Sequence, residues 1–167
     1  VGLGARRGVP DGPVVSYGLA GGLDGLACGT VVDAVRAVDE RGETLWEGEG
    51  LGVPGAVRGT LVAVDRIVDD AEERARLFRA TGGDAVDMES AELARRGELL
   101  GALRVVADTP DRPLSGLAGA VGPEGDYDWV GLARALVRSP RAAARAARDG
   151  KRALNALAAA TRRWADG

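Results

Sequence analysis

Three short runs of this 167-residue chain hold side chains that could do chemistry. Ser16-Tyr-Gly-Leu-Ala-Gly-Gly-Leu-Asp24 follows an apolar run and reads as a glycine turn, whose exposed backbone N–H groups suit an anion or a nucleophile. Asp84-Ala-Val-Asp-Met-Glu-Ser90 places Glu89 directly after Val-Asp-Met, where burying a charge is costly unless it finds polar partners. Arg104-Val-Val-Ala-Asp-Thr-Pro-Asp111 sets Asp108 at the end of an apolar run. No histidine occurs, which removes Ser-His-Asp catalysis and most zinc chemistry. Cys28 is the single cysteine, cannot form an intrachain disulfide and reads as a small buried filler. Carboxylates and backbone amides remain as the chemical actors, and neither a metal site nor a cofactor is expected.

The elements that must position these residues alternate between strand and helix. Val14–Tyr17 reads as a buried strand running into the glycine turn, with Pro13 at its start. Residues 29–38 form a second strand region, closed by a turn at 39–42, and a glycine-rich loop over 47–59 leads to a third strand at 60–64. Asp69 or Asp70 caps a charged helix over 70–80. A short strand at 85–87 delivers Met88 and Glu89 to a helix over 90–97, and 103–107 is a further buried strand. Asp128 opens a helix ending near Arg138, and Ser139-Pro140 caps a longer one reaching about Trp164. Alternation of this kind implies a three-layer α/β/α fold, with a mixed, mainly parallel central sheet and a helical C-terminal tail. Gly18–Gly22, Met88-Glu89 and Asp108 each fall just past an expected strand, so three strand ends should converge on one edge of the sheet.

Composition bounds the partners. The length suits one domain over 1–167, with the motifs in 14–115 and the tail helices in 127–166. Only six residues are aromatic, so Ala, Val and Leu must pack the core. No apolar run approaches the roughly 20 residues that span a bilayer, and no signal peptide is visible, so a cytoplasmic location is expected. The chain opens on Val1 rather than Met, which fits a fragment, a processed product or a trimmed form alike. A net charge of −3 argues against nucleic acid as a partner. Residues 130–167 nevertheless carry nine basic and two acidic side chains. Arg134, Arg138, Arg141, Arg145, Arg148 and Arg152 recur at helical spacing, with Leu132, Leu136, Ala143, Ala147, Leu154 and Leu157 mostly opposite. That arginine face is either plain solvated surface or a peripheral contact with anionic lipid.

The glycine run and the Asp-Met-Glu run, in this order and about seventy residues apart, resemble the purine nucleoside phosphorylase and nucleosidase superfamily. The segment ending in Asp108 resembles the one that bears the general acid in those enzymes. The resemblance implies cleavage of an N-ribosyl bond in a purine nucleoside, adenine being the expected base, by an enzyme that is a homo-oligomer. Asp108 would protonate the departing base, Glu89 would grip the ribose hydroxyls, and Met88 would pack under the sugar. Gly18, Leu19, Gly21 and Gly22 would surround the nucleophile, and Ile67 and Val68 would meet the purine. Phosphorolytic relatives carry a hydroxyl residue where Leu19 stands, which favours water over phosphate as the nucleophile. Asp65-Arg66 and the run Gly125–Pro140 look like the hopanoid-associated phosphorylase branch, implying adenosylhopane, a lipid-linked nucleoside, as substrate. One departure stands out: relatives place an additional N-terminal strand and a nucleophile-activating residue before the glycine run, where this sequence has thirteen residues before Val14. Arg6 and Arg7 are weak candidates for that role. The rival reading is a non-catalytic relative that binds a nucleoside or a protein.

Overall fold

The computed structural model describes residues 12–97, 99–112 and 140–166. Strand β1 spans Val14–Gly22, β2 Val31–Val38, β3 Thr44–Glu47, β4 Val57–Ala63, β5 Ala85–Asp87 and β6 Leu99–Asp108. Helix α1 spans Ala71–Thr81, α2 Ser90–Arg95 and α3 Pro140–Ala165. One mixed sheet runs in the order β3-β2-β4-β5-β1-β6, and β2 also pairs with β6, so the sheet curls back on itself. Pairings β1–β6, β2–β4 and β4–β5 are parallel; β1–β5, β2–β3 and β2–β6 are antiparallel.

Alternation along the strands sorts side chains between the two faces of this curled sheet. Val32, Ala34, Leu61, Ala85, Ala102 and Val106 pack with Leu93 of α2. Leu77 of α1 packs with Val38, Val62, Val64 and Val86. Ala153, Leu157 and Ala160 of α3 cover Leu103, Val105 and Ala107 of β6. Helices therefore lie on both faces of the sheet, the layering expected from sequence. Of the two candidate caps for α1, Asp70 does the work: its side chain accepts from Glu73 N–H, and the helix ends at Gly82, whose φ of 62° is the left-handed cap that glycine adopts without strain. Asp33, buried in β2, accepts from Leu51 N at 2.8 Å and Val53 N at 3.2 Å, fastening the glycine-rich loop between β3 and β4.

Several expectations need correction. The glycine run is not a turn: β1 continues through it, and Gly18, Gly21 and Gly22 all keep negative-φ strand geometry. Close approach of neighbouring strands is what these positions require. A Cβ at Gly21 would sit 3.1 Å from Val86 Cγ2, and one at Gly22 3.1 Å from Val106 Cγ1. At Gly18 nothing lies nearer than 3.9 Å. Gly21→Ala should thus cost about 1–3 kcal/mol of stability by overpacking, with Gly18→Ala near neutral, as read by denaturant midpoints. Equal midpoints would restore the turn reading. The strand directions also differ from a set of carboxyl ends on one edge, because β1 and β6 run opposite to β2, β4 and β5. β3 was not foreseen, β4 starts at Val57 rather than Thr60, β6 extends from Leu99 through Asp108, and α2 stops at Arg95. On α3 the buried face is Ala153, Leu157 and Ala160, so Leu154 points outward at 55% exposure and Ala147 is exposed too, while Arg145, Arg148 and Arg152 are exposed as expected. The helix expected from Asp128, the cap at Ser139, the matching run 125–139, the leading Arg6 and Arg7, and Leu132, Arg134, Leu136 and Arg138 all lie outside the described residues, as do the side chains of Arg141 and Ala143.

Candidate active site

β1 is the axis of the site because its neighbours on both sides deliver charged residues to it. Gly21 is paired with Val86 of β5 and with Asp108 of β6. A Cβ at Gly21 would meet Asp108 Oδ1 at 3.3 Å, and one at Gly18 would meet Glu89 Oε2 at 4.0 Å. Three residues of strand separate these two points, about 10 Å of rise. Both carboxylates line a single cavity of about 310 Å3, together with Gly18–Gly21, Met88 and Ile67. That volume falls in the range of small-molecule sites.

Asp108 is buried and forms an ion pair with Arg74 of α1 through Oδ2. Arg74 is itself only 1% exposed, and its remaining donors are spent on backbone: Nε and Nη2 on Val68 O at 3.0 and 2.7 Å, Nη1 on Gly22 O at 2.9 Å. A guanidinium buried this deeply requires such partners. Beside Asp108, the half-buried Cys28 donates to Ala107 O at 3.4 Å, and burial pushes its thiol up from the ordinary range, the state of an unreactive cysteine.

The other end of the site is built by Asp87, Glu89 and Arg104. Asp87 Oδ2 accepts from Ser90 N and Oγ at 3.1 and 2.7 Å and so caps α2. It also pairs with Arg104 at 2.6 Å, where both side chains are 1% exposed. Glu89, though at the N-cap position, makes no side-chain cap bond. With Asp87 capping the helix, the Glu89 carboxylate is left to reach Arg104 Nη2 at 3.2 Å, and it stays a quarter exposed to the cavity. Arg104 Nη2 also donates to Ser16 Oγ at 2.8 Å, tying this cluster to β1.

The purine side is less uniform. Ile67 is 37% exposed at the cavity, whereas Val68 is a core residue whose carbonyl is already taken by Arg74. The segment before them is clamped by Arg66, which binds Glu40 at 2.7 and 2.8 Å and Glu73 at 2.6 Å. That contact holds the Glu40 carboxyl below its usual range and pushes the Arg66 guanidinium further up. Met88 packs against the α1 core as well as lining the cavity. Leu19 is 46% exposed at its edge. Gly22 does not line it and acts instead through its carbonyl on Arg74.

Sequence reasoning brought Asp108, Glu89, Met88, Ile67, Val68, Gly18, Leu19 and Gly21 to one cavity but missed Arg74 and Arg104. The signal was present. Arg104 interrupts an otherwise apolar strand, and Arg74 sits three residues from Leu77 on the buried face of α1.

The curled mixed sheet, with the glycines of β1 lying between two buried carboxylate–arginine pairs, has the fold of solved nucleosidase structures. Among solved structures, a 5′-methylthioadenosine/S-adenosylhomocysteine nucleosidase from Helicobacter pylori with butyl-thio-DADMe-Immucillin-A superposes with a TM-score of 0.57 at 17% identity, covering 92% of this chain and 68% of that one. The corresponding nucleosidase from Colwellia psychrerythraea, in complex with adenine, gives a TM-score of 0.52 at 20% identity over 60% of this chain and 57% of that one. Futalosine hydrolase of Helicobacter pylori gives 0.51 at 17% identity over 83% and 66%. The chain spans only about half to two thirds of the length of such structures. No family model matches it. No curated protein matches it either.

Proposed function

We propose that this chain cleaves the N-ribosyl bond of a purine nucleoside, with adenine as the leaving base. The observation that carries this reading is the shared cavity, with Asp108 at one end of the β1 glycine segment and Glu89 at the other. As the C–N bond breaks, its electron pair passes to the purine and positive charge grows on the sugar. Asp108 donates a proton to a ring nitrogen of the base, and Glu89 holds the ribose hydroxyls and offsets the developing charge. Neighbouring structures that are adenosine-type nucleosidases, one of them holding adenine, support the substrate class.

Water is the nucleophile favoured by the charges around Gly18. Arg104 is the nearest cation to Gly18, and it is already matched by two carboxylates, Asp87 and Glu89, leaving the cluster net negative and poorly suited to a phosphate dianion. Leu19 adds no hydroxyl. Reaction in 18O-labelled water, with and without phosphate, separates the two routes. The expected product is labelled free sugar at a rate indifferent to phosphate; a phosphate-dependent rate yielding a sugar phosphate would make it a phosphorylase.

A lipid-linked nucleoside is supported by one feature of the surface. Tyr17, 67% exposed at the cavity, also borders an apolar groove with Leu154, Leu157 and Ala158 of α3. Exposed Arg145, Arg148, Lys151, Arg152, Arg162 and Arg163 lie along the same helix. Such a helix suits an anionic lipid surface, each basic residue contributing about 1 kcal/mol at low salt. No helix among the described residues is long and apolar enough to cross a membrane. Co-sedimentation with anionic vesicles at low salt, weakened by high salt and absent with neutral vesicles, is the expected result. Equal, negligible binding to both vesicle types would leave the arginines as solvated surface.

A further inference from the structure

We propose that Arg74 is the positioning residue that makes Asp108 an effective acid, an inference that rests on the reading of Asp108 given above. Arg74 touches neither sugar nor nucleophile in that scheme; it acts through Asp108. Its guanidinium holds Oδ2 of Asp108, and its other donors bind Val68 O at 2.7 and 3.0 Å and Gly22 O at 2.9 Å. One side chain thus joins the acid, the strand bearing the glycines and the segment beside the purine.

The chemistry follows from what the pair does to each protonation state. When Asp108 passes its proton from Oδ1, the oxygen beside Gly21, to the base, a carboxylate remains in a buried site. Buried and without a cation, that carboxylate would be costly, and the transfer would be uphill. Arg74 stabilises the carboxylate, which strengthens the acid and strengthens it only as the proton leaves. The proton is replaced from solvent before the next turnover. The cost is that fewer molecules hold the proton at high pH, so activity should fall on an alkaline limb that reports the Asp108–Arg74 pair.

Other charged groups also stand near Asp108. Cys28 lies next to it on the β1–β2 connection, and Arg112 and Asp149, 3.6 Å apart, stand near Cys28. Those two oppose each other, and Arg74 is the cation in direct contact with Asp108 Oδ2, so its removal should move the limb.

The test compares pH profiles of adenine release for the wild-type chain, Arg74→Met and Arg74→Lys. Arg74→Met should lower the plateau of kcat and move the alkaline limb up by about 1–3 pH units, the effect of losing an adjacent opposite charge. Arg74→Lys, which restores a cation but not the full set of backbone bonds, should keep the limb near its wild-type position with part of the rate. A lower plateau with an unmoved limb in Arg74→Met would show a merely structural role and overturn the proposal. Should the Met variant fail to fold, Arg74→Gln carries the same prediction. Carboxyl 13C NMR of Asp108, assigned by its loss in Asp108→Asn, reads the upward movement without turnover. An Asp108 titration unaltered by removing Arg74 overturns the inference even if the wild type releases no adenine, whereas an inactive wild type with a moved titration overturns the functional reading alone.

Discussion

Asp108→Asn is expected to lower the turnover of adenine release by about 10²–10⁴-fold, the range for loss of a general acid, equivalent to about 3–5 kcal/mol of transition-state stabilisation. Asparagine keeps the size of the side chain and an oxygen for Arg74 to bind, but it carries no transferable proton. Nucleoside affinity should change little, because the lost interaction exists only as the bond breaks. Stability needs to be followed in parallel, since Arg74 is buried and loses its counter-charge, a change that destabilises folded proteins. Turnover near wild type in a folded Asp108→Asn protein would move the acid elsewhere.

Glu89→Gln should behave differently. Its carboxylate is the part-exposed acid facing Gly18, and its contact with ribose hydroxyls should tighten as positive charge grows on the sugar. Both kcat and kcat/KM should fall, by about 10- to 100-fold if one or two charge-assisted hydrogen bonds are lost. A 2′,3′-dideoxy substrate should be poor with the wild type and lose little further with the variant, because substrate and side chain would each be missing half of the same contact. Losses that simply add would show that Glu89 does not touch those hydroxyls. Arg104 retains Asp87 at 2.6 Å in this variant, so the cluster should stay folded.

The fold was legible where local patterning and global packing agree. Ala85–Asp87, an apolar pair before Met88 and Glu89, reads as a short strand and is one, and of the two cap candidates, Asp69 and Asp70, it is Asp70 whose side chain reaches Glu73 N–H. Of the candidate site, Glu89 stood out because a buried charge is costly without partners, and Asp108 because its segment resembles the one bearing the general acid; the structure places both at one cavity. The glycine run was misread because sequence shows that glycine lacks a side chain but not which use the fold makes of it. A turn needs unusual dihedrals, whereas here Val86 and Val106 lie close against β1 and would crowd a Cβ at Gly21 and Gly22. Strand direction was also hidden, because β2–β6 pairing depends on contacts between residues some seventy positions apart. Arg74 and Arg104 escaped for a related reason: an arginine among apolar residues looks like an exception until the structure supplies Asp108 and Asp87 as its partners. The partner found for Glu89 is likewise Arg104, in addition to any ribose hydroxyl.

The central claim is that one cavity on β1 breaks a nucleoside into base and sugar. Its most direct test is chromatographic detection of free adenine after incubating the chain with adenosine and 5′-substituted adenosines. The account predicts adenine in proportion to protein and time, and none above background with an Asp108→Asn/Glu89→Gln double variant. Nucleosides that bind the wild-type chain but are recovered intact would contradict it and leave a binding protein in place of an enzyme.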